Sequence, residues 1–497
     1  MNWTGRTRRT LSAALLVFGA CLPASAEEAW DATYLAGSKV GYVHTKVEPI
    51  KEKHQGKDLL NVKVSQILSF KRGKDQLSMQ LRQGTIETID GEVLRLDFRA
   101  GTGEAELKTS GDVLDGKMSM TFEAGGTKSQ KVLDWPNDVR GPYAVEQSVA
   151  RKPLEPGESR RIKTFLPMSN EICLITLTAK DREEVTLGGG KTRTLLKVQT
   201  KVTTLEGKRK DDMDVVYWFD DGGQALKTFS DLLGGVTTYR TTKAAALAPF
   251  DGKFDIIKAT LVKVRAIPRP EQTREVVYRV TANGKGDDPA DLFPADRRQT
   301  WRVDKGSKSA TLTVKTAGPD AGQPGSEAVD AAFTRPNPLV NSEDPTIVGL
   351  MRKAVGDARS PWQKAVAIDH WVAANIKTKN YETAFATASE VAVNLKGDCT
   401  EHSVLVAAMC RAAGIPARVA VGLLYVEHLG GFGGHMWNEV YINRRWVAID
   451  ATFDQTEVDA THLKLSDTSL DGVSPFDAMM PILQVSEKVK IDPVEVR

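Results

Sequence analysis

Three residues toward the C-terminal end of this chain are of the types that together make and break acyl bonds: Cys399, His435 and Asp450. A thiol attacks a carbonyl only as its proton leaves. An imidazole can take that proton near neutral pH, and a carboxylate fixes the imidazole tautomer and steadies the cation that forms. Such a set would act on an amide or ester through an acyl-cysteine intermediate. Each residue alone is ordinary, and a lone cysteine at a helix start is more often structural. The reading depends on local elements that bring the three together.

The run Gly397-Asp398-Cys399-Thr400 reads as the start of a helix, with Asp398 or Gly397 as cap and the sulfur at the helix mouth. The unpaired N–H groups and partial positive charge there favour a thiolate, and the Cys399 N–H can serve an oxyanion. Leu405, Ala408 and Ala412 continue at helical spacing until Gly414 and Pro416 end the element. An earlier helix starts at Ser360-Pro361, with Ala365, Ile368, Val372 and Ile376 along one face. Downstream, strands are expected over 418–425, 435–442 and 445–449. If Asn443-Arg444 is a two-residue turn, Ile442 faces Arg445 and Trp437 faces Asp450. His435, Trp437, Asp450 and Thr452 then share one face, with His435 and Asp450 diagonal neighbours about 7–8 Å apart at the backbone. Two side chains bridge that distance.

These motifs, Gly397-Asp398-Cys399, Arg411 to Arg418, His435-Met436-Trp437-Asn438-Glu439-Val440-Tyr441 and Trp446 to Thr452, resemble the transglutaminase-like superfamily of bacterial proteins over roughly residues 340 to 470. The resemblance implies a papain-like core, a cysteine-bearing helix packed on an antiparallel sheet that carries His and Asp, with Cys399, His435 and Asp450 as the triad. The acidic calcium loops of animal transglutaminases are not seen, so no metal and no cofactor is expected. No side-chain oxyanion donor stands out beyond guesses at Tyr381 and Trp437.

The fold class expected is α+β, a C-terminal papain-like, transglutaminase-like core preceded by mainly antiparallel β domains. Residues 1–26 read as an export signal. Arg6, Arg8 and Arg9 precede the apolar run Leu11 to Leu22, and Ala24-Ser25-Ala26 suits cleavage. The run is too short to span a bilayer, which takes ~20 residues. Arg8-Arg9 faintly resembles a twin-arginine signal, and Phe18-Gly19-Ala20-Cys21 a lipoprotein box, so a lipid anchor stays open. Residues 27–245 alternate apolar and polar positions between turn signals, as an up-and-down sheet, half-barrel or sandwich would. A smaller β region covers 253–320, including a strand from Lys258 to Ile267. A Gly/Pro linker from Ala317 to Gly325 precedes the last domain, 340–497.

The whole chain carries a formal charge of +3, and removing the three signal arginines leaves the remainder neutral, which gives nucleic acid no reason to bind. Three cysteines then remain, Cys173, Cys399 and Cys410, an odd number that points to a reactive thiol. Cys399 and Cys410 are too far apart along one helix for a disulfide, whereas a Cys173–Cys410 bridge stays open. His402, three residues after Cys399, reads as helix packing, since no second pair of zinc ligands accompanies it. His428 sits in a glycine-rich approach to His435 that is either a flap or a plain connection. Arg418 and Glu439 read as a structural pair. The expected protein is thus an exported cell-envelope thiol enzyme, periplasmic or extracellular, acting on a peptide or protein amide by transfer or hydrolysis. The alternative is a non-catalytic binding or scaffold protein built on its β domains.

Overall fold

The computed structural model describes residues 27–497 apart from 103–104, 168–169, 284–288, 304–307, 321–328, 379–385, 473–474 and 487. The expected export segment, Tyr381 and much of the Gly/Pro linker lie outside the described residues. The architecture is mixed α and β, and mostly β. No helix among the described residues is long and apolar enough to cross a membrane.

Fifteen strands form one continuous sheet between Glu27 and Thr241. Its first strand, Glu27–Leu35, pairs on one side with Ser38–His54 and on the other with Val236–Thr241. From that centre the chain runs out by successive antiparallel neighbours to one edge at Thr127–Asp134. It resumes at the opposite edge with Val139–Arg140. Residues 135–138 join the two edges, and so short a connection reaches only about 17 Å. The sheet must therefore curl until its edges approach. Period-two alternation shows which face turns inward. Lys117–Ala124, for example, buries every second residue, placing Met118, Met120 and Phe122 inside with Trp135, Val139 and Phe165.

The C-terminal region is built around the helix Cys399–Ala412, nearly all of whose residues are buried. It is apolar around most of its circumference because neighbours cover it on every side. The helices Pro345–Val355, Pro361–Asn375 and Ala388–Asn394 pack on it from one direction. From the other it meets a sheet ordered Val262–Lys263, Gly431–Ile442, Ala417–Val426, His462–Thr468, with Arg445–Ile449 paired to Gly431–Ile442. Ser360 caps its helix with Gln363 in a reciprocal capping box and Pro361 at the first turn. A further sheet runs Gln299–Val303, Ser309–Lys315, Glu275–Ala282, Val489–Val496, so the end of the chain completes a sheet begun well upstream. The strand expected from Lys258 to Ile267 is mostly something else. Asp255 accepts the Ile257 N–H and caps the short helix Ile256–Thr260, leaving only Val262–Lys263 extended.

Candidate functional site

Asp398 caps the cysteine helix by accepting the Thr400 N–H at 2.9 Å, while the Glu401 carboxylate reaches back to the Asp398 N–H at 2.9 Å. This closes a capping box around Cys399. Gly397 permits it: its φ is +145°, and a Cβ there would stand 2.2 Å from the Glu401 Cβ. Gly397→Ala is expected to cost about 3 kcal/mol from backbone strain and the clash together, read as a fall in urea midpoint. A loss below about 0.5 kcal/mol would show that the cap tolerates a side chain.

The hairpin follows the expected register, with Ile442 opposite Arg445 and Asn438 opposite Ile449. Asn443 and Arg444 both have positive φ, as a type I′ turn requires. Beyond Ile449 the chain departs from the straight strand that the two-residue turn predicts. Asp450 bridges to Gln455, and its Oδ1 accepts the Thr452 N–H at 2.9 Å. Thr452 therefore closes a turn over the carboxylate instead of continuing the strand face. The other carboxylate oxygen, Oδ2, accepts the His435 Nε2–H at 2.7 Å. A carboxylate cannot donate, so Nε2 carries the proton and Nδ1 is the nitrogen left to exchange one. The Cys399 sulfur, on a half-buried residue, lies within hydrogen-bonding reach of the backbone N–H of Met436, the residue after His435.

The approach to His435 is ordered strand, not a flap. Gly431 pairs with Lys263 and Phe432 with Val262. At Gly431 an added Cβ would sit 2.6 Å from the Val262 carbonyl oxygen, so only glycine lets the strands meet. Between this contact and the pairing that begins at Asn438, residues 433–437 have no strand neighbour on that edge among the described residues. His435 and Met436 lie in this gap. Phe453, about half exposed, stands edge-on to the His435 ring at 5.5 Å.

Two groups that local sequence does not announce complete the site. His462 is fully buried, with Nε2 at 3.1 Å from Asp450 Oδ2 and Nδ1 at 3.2 Å from Asp459 Oδ1. Both ring nitrogens face carboxylates, so the doubly protonated imidazolium satisfies both, whereas a neutral ring would oppose a lone pair to one of them. Burial disfavours the charge, but the hydrogen bonds to Asp450 and Asp459 raise the His462 pKa. Burial likewise opposes ionisation of Asp450, yet His435 and His462 hold its carboxyl far below the usual range. The result is an alternating chain, Asp459, His462, Asp450, His435. The second group is Arg72, the last residue of the strand Lys57–Arg72 in the large sheet. Its Nη2 lies 2.6 Å from Asp398 Oδ2.

The thiol differs from expectation. Burial and the neighbouring Asp398 carboxylate push the Cys399 pKa up, and Arg72 and the Met436 N–H offset this only in part. The helix mouth does not by itself yield a thiolate, because burial and then the acidic cap that starts the helix both disfavour one.

Trp437 stacks on His435 and packs with Ala420, Ala448 and Val458. It is core, and its Nε1 has no hydrogen-bond partner among the described residues. His402 is buried and donates from Nδ1 to the Asp398 carbonyl at 2.6 Å. Arg418 and Glu439 pair at 2.7 Å, with Lys464 as a second cation on the same carboxylate oxygen. No disulfide joins Cys173, Cys399 and Cys410.

Two clusters bring three possible metal-ligating atoms within 4.8 Å of one another among the described residues. In His435, Asp450 and His462 the atoms are already satisfied by hydrogen bonds to each other. In Asp369, His370 and Asp454, the His370 Nδ1 and Asp454 Oδ1 already hydrogen-bond each other, and burial holds Asp369 toward its neutral form, a poor metal ligand.

Residues 349–451 match the family described as the transglutaminase-like superfamily, so this stretch is a transglutaminase-like domain. No curated protein matches the chain. Among solved structures, it is similar to a candidate cysteine protease from Cytophaga hutchinsonii, at 17% identity and TM-score 0.27 over 44% of this chain and 83% of that one. It is also similar to a β-barrel-like protein, of domain of unknown function DUF1849, from Brucella abortus, at 10% identity and TM-score 0.30 over 43% of this chain and 95% of that one.

Proposed function

We propose that this protein is an exported thiol enzyme of the cell envelope, with a papain-like core, that acts on peptide or protein amides through an acyl-Cys399 intermediate. The observation that carries the reading is the His435 Nε2–Asp450 Oδ2 hydrogen bond, 2.7 Å long, on the strand whose next backbone N–H meets the Cys399 sulfur. With the thiol protonated at rest, its proton passes from Sγ to His435 Nδ1 as the sulfur attacks the substrate carbonyl carbon. The carbonyl π pair moves to oxygen, where the Cys399 N–H at the helix start can receive it. His435 returns the proton to the leaving nitrogen as the C–N bond breaks, leaving a thioester. Asp450 fixes the His435 tautomer and stabilises the imidazolium. Water then gives the acid, or an amine gives a new amide; both outcomes share this first half. Exposed Phe453 beside His435 offers a surface for an apolar substrate side chain. The export reading rests on residues 1–26.

The test is alkylation of Cys399 by iodoacetamide between pH 6 and 9, in a Cys173→Ser, Cys410→Ser background, with and without His435→Gln. At pH 7 the intact protein should react ~10² times faster than the variant, a range typical of a positioned general base. Arg72→Ala should slow it further, because the cation that lowers the thiol pKa is gone. Equal rates with and without His435 would overturn the enzyme reading in favour of a non-catalytic binding protein of the envelope.

A further inference from the structure

The inner face of the curled sheet encloses a cavity of about 510 Å³, within the ~300–1,000 Å³ usual for small-molecule sites. Strand alternation builds it. Val64, Gln66, Leu68, Phe70 and Arg72 project inward from one strand, and cross-strand neighbours Gln83, Leu81, Met79 and Leu77 project from the next. The helix Pro475–Ser486 closes one side with Met479, Met480 and Leu483. We propose that this cavity binds a single aliphatic acyl chain.

Three observations favour that occupant. Among the described residues the lining is apolar except for a few amides and hydroxyls, and Arg72 is the one charged residue. Arg72 is already ion-paired to Asp398 at 2.6 Å, so among the described residues the interior offers an ionised headgroup no uncompensated charge. The aliphatic part enters and any charged head stays at the open mouth. Finally, Met79, Met213, Met479 and Met480 all line the space. Methionine is unbranched and polarisable, so it adapts to a flexible chain better than branched residues do. Close packing is the rule inside proteins, and apolar walls this far apart forgo contacts that such a chain would restore. Thr400, which follows Cys399, is part of the wall, so a bound chain lies against the start of the cysteine helix.

The test uses the full chain with Cys399→Ala, so that its outcome is independent of thiol chemistry. The fluorescent probe 1-N-phenylnaphthylamine should brighten on binding and be displaced by competitors. Displacement by palmitate but not by 1-palmitoyl-lysophosphatidylcholine assigns a free acid. Displacement by both, or by the lysolipid alone, assigns a lipid-borne chain. Met79→Trp and Leu81→Trp, which fill the space, should each weaken probe binding at least ~tenfold, whereas Gln80→Trp on the opposite strand face should not. Should the filled variants fail to fold, a photoactivatable palmitate on otherwise unchanged protein still decides, by the residues it labels. Labels on the strands Lys57–Arg72 and Asp75–Thr88 or on the helix Pro475–Ser486 support the proposal. Labels elsewhere, or no probe binding at all, overturn it.

Discussion

Asp450→Asn should slow acylation of Cys399 by ~10³–10⁴, the loss expected when a catalytic histidine is held in the wrong tautomer. Asp450 serves three donors here: His435 and His462 on Oδ2 and the Thr452 N–H on Oδ1. Asparagine offers one acceptor oxygen. If it faces the imidazoles, the amide NH₂ meets the Thr452 N–H. If it turns round, the NH₂ meets two ring nitrogens and drives His435 to the tautomer with its proton on Nδ1, where it cannot take one from sulfur. The variant also leaves buried His462 with half its counter-charge, so stability should fall by about 3 kcal/mol. The measurement is the p-nitrophenol burst from p-nitrophenyl acetate in the background with Cys399 as the sole cysteine, at a urea concentration and temperature where the variant is folded. A burst rate within tenfold of the parent would remove Asp450 from the mechanism.

Asp369→Asn should stabilise the protein at pH 7 by about 4 kcal/mol. Asp369 is fully buried on the helix Pro361–Asn375, and neither carboxyl oxygen has a hydrogen-bond partner among the described residues. Burial, then the carboxylates of Asp450 and Asp454, push its pKa up to about 9. The sign follows from which state keeps the proton. Below the unfolded value near 3.8, both states are protonated and there is no penalty. As pH rises the unfolded chain ionises while the folded chain does not, so stability is lost steadily until the folded group also ionises near pH 9. At pH 7 that is roughly three pH units at 1.36 kcal/mol each. Asparagine ionises in neither state, so the gain should vanish near pH 4 and grow toward pH 9. Urea melts of both proteins at pH 4.5, 6, 7 and 8.5 would show it. A gain that is flat with pH, or a loss at every pH, would mean that Asp369 is not a buried neutral acid in the folded protein.

Asp369 also illustrates what a pattern reading passes over. It stands four residues after Ala365 and three before Val372, on the apolar face that the helix spacing identified, and its burial was legible in that spacing. An acid on such a face looks like an interruption until its neighbours are known. The capping box at Ser360, the start of the cysteine helix at Asp398, and the type I′ register that brings Asp450 toward His435 rest on interactions within a few residues or across one tight turn. Such interactions are written locally, because the backbone offers few alternatives over short spans. For that reason the pairing of His435 with Asp450 could be anticipated from the chain alone.

The rest depended on segments that meet only in space. His462 reaches Asp450 from the far side of the sheet, and Arg72 reaches the Asp398 cap from the β region. The upward shift of the Cys399 pKa follows from burial, which local sequence does not display, and from the Asp398 carboxylate. The alternation within residues 27–245 was visible as strands, but only the curl of the whole sheet made their inner face a cavity. Sequence by itself determined the short-range elements and the order of the reactive residues. Burial, and with it every electrostatic quantity at the site, was decided by the tertiary structure, because desolvation depends on what packs around a group and not on what precedes it in the chain.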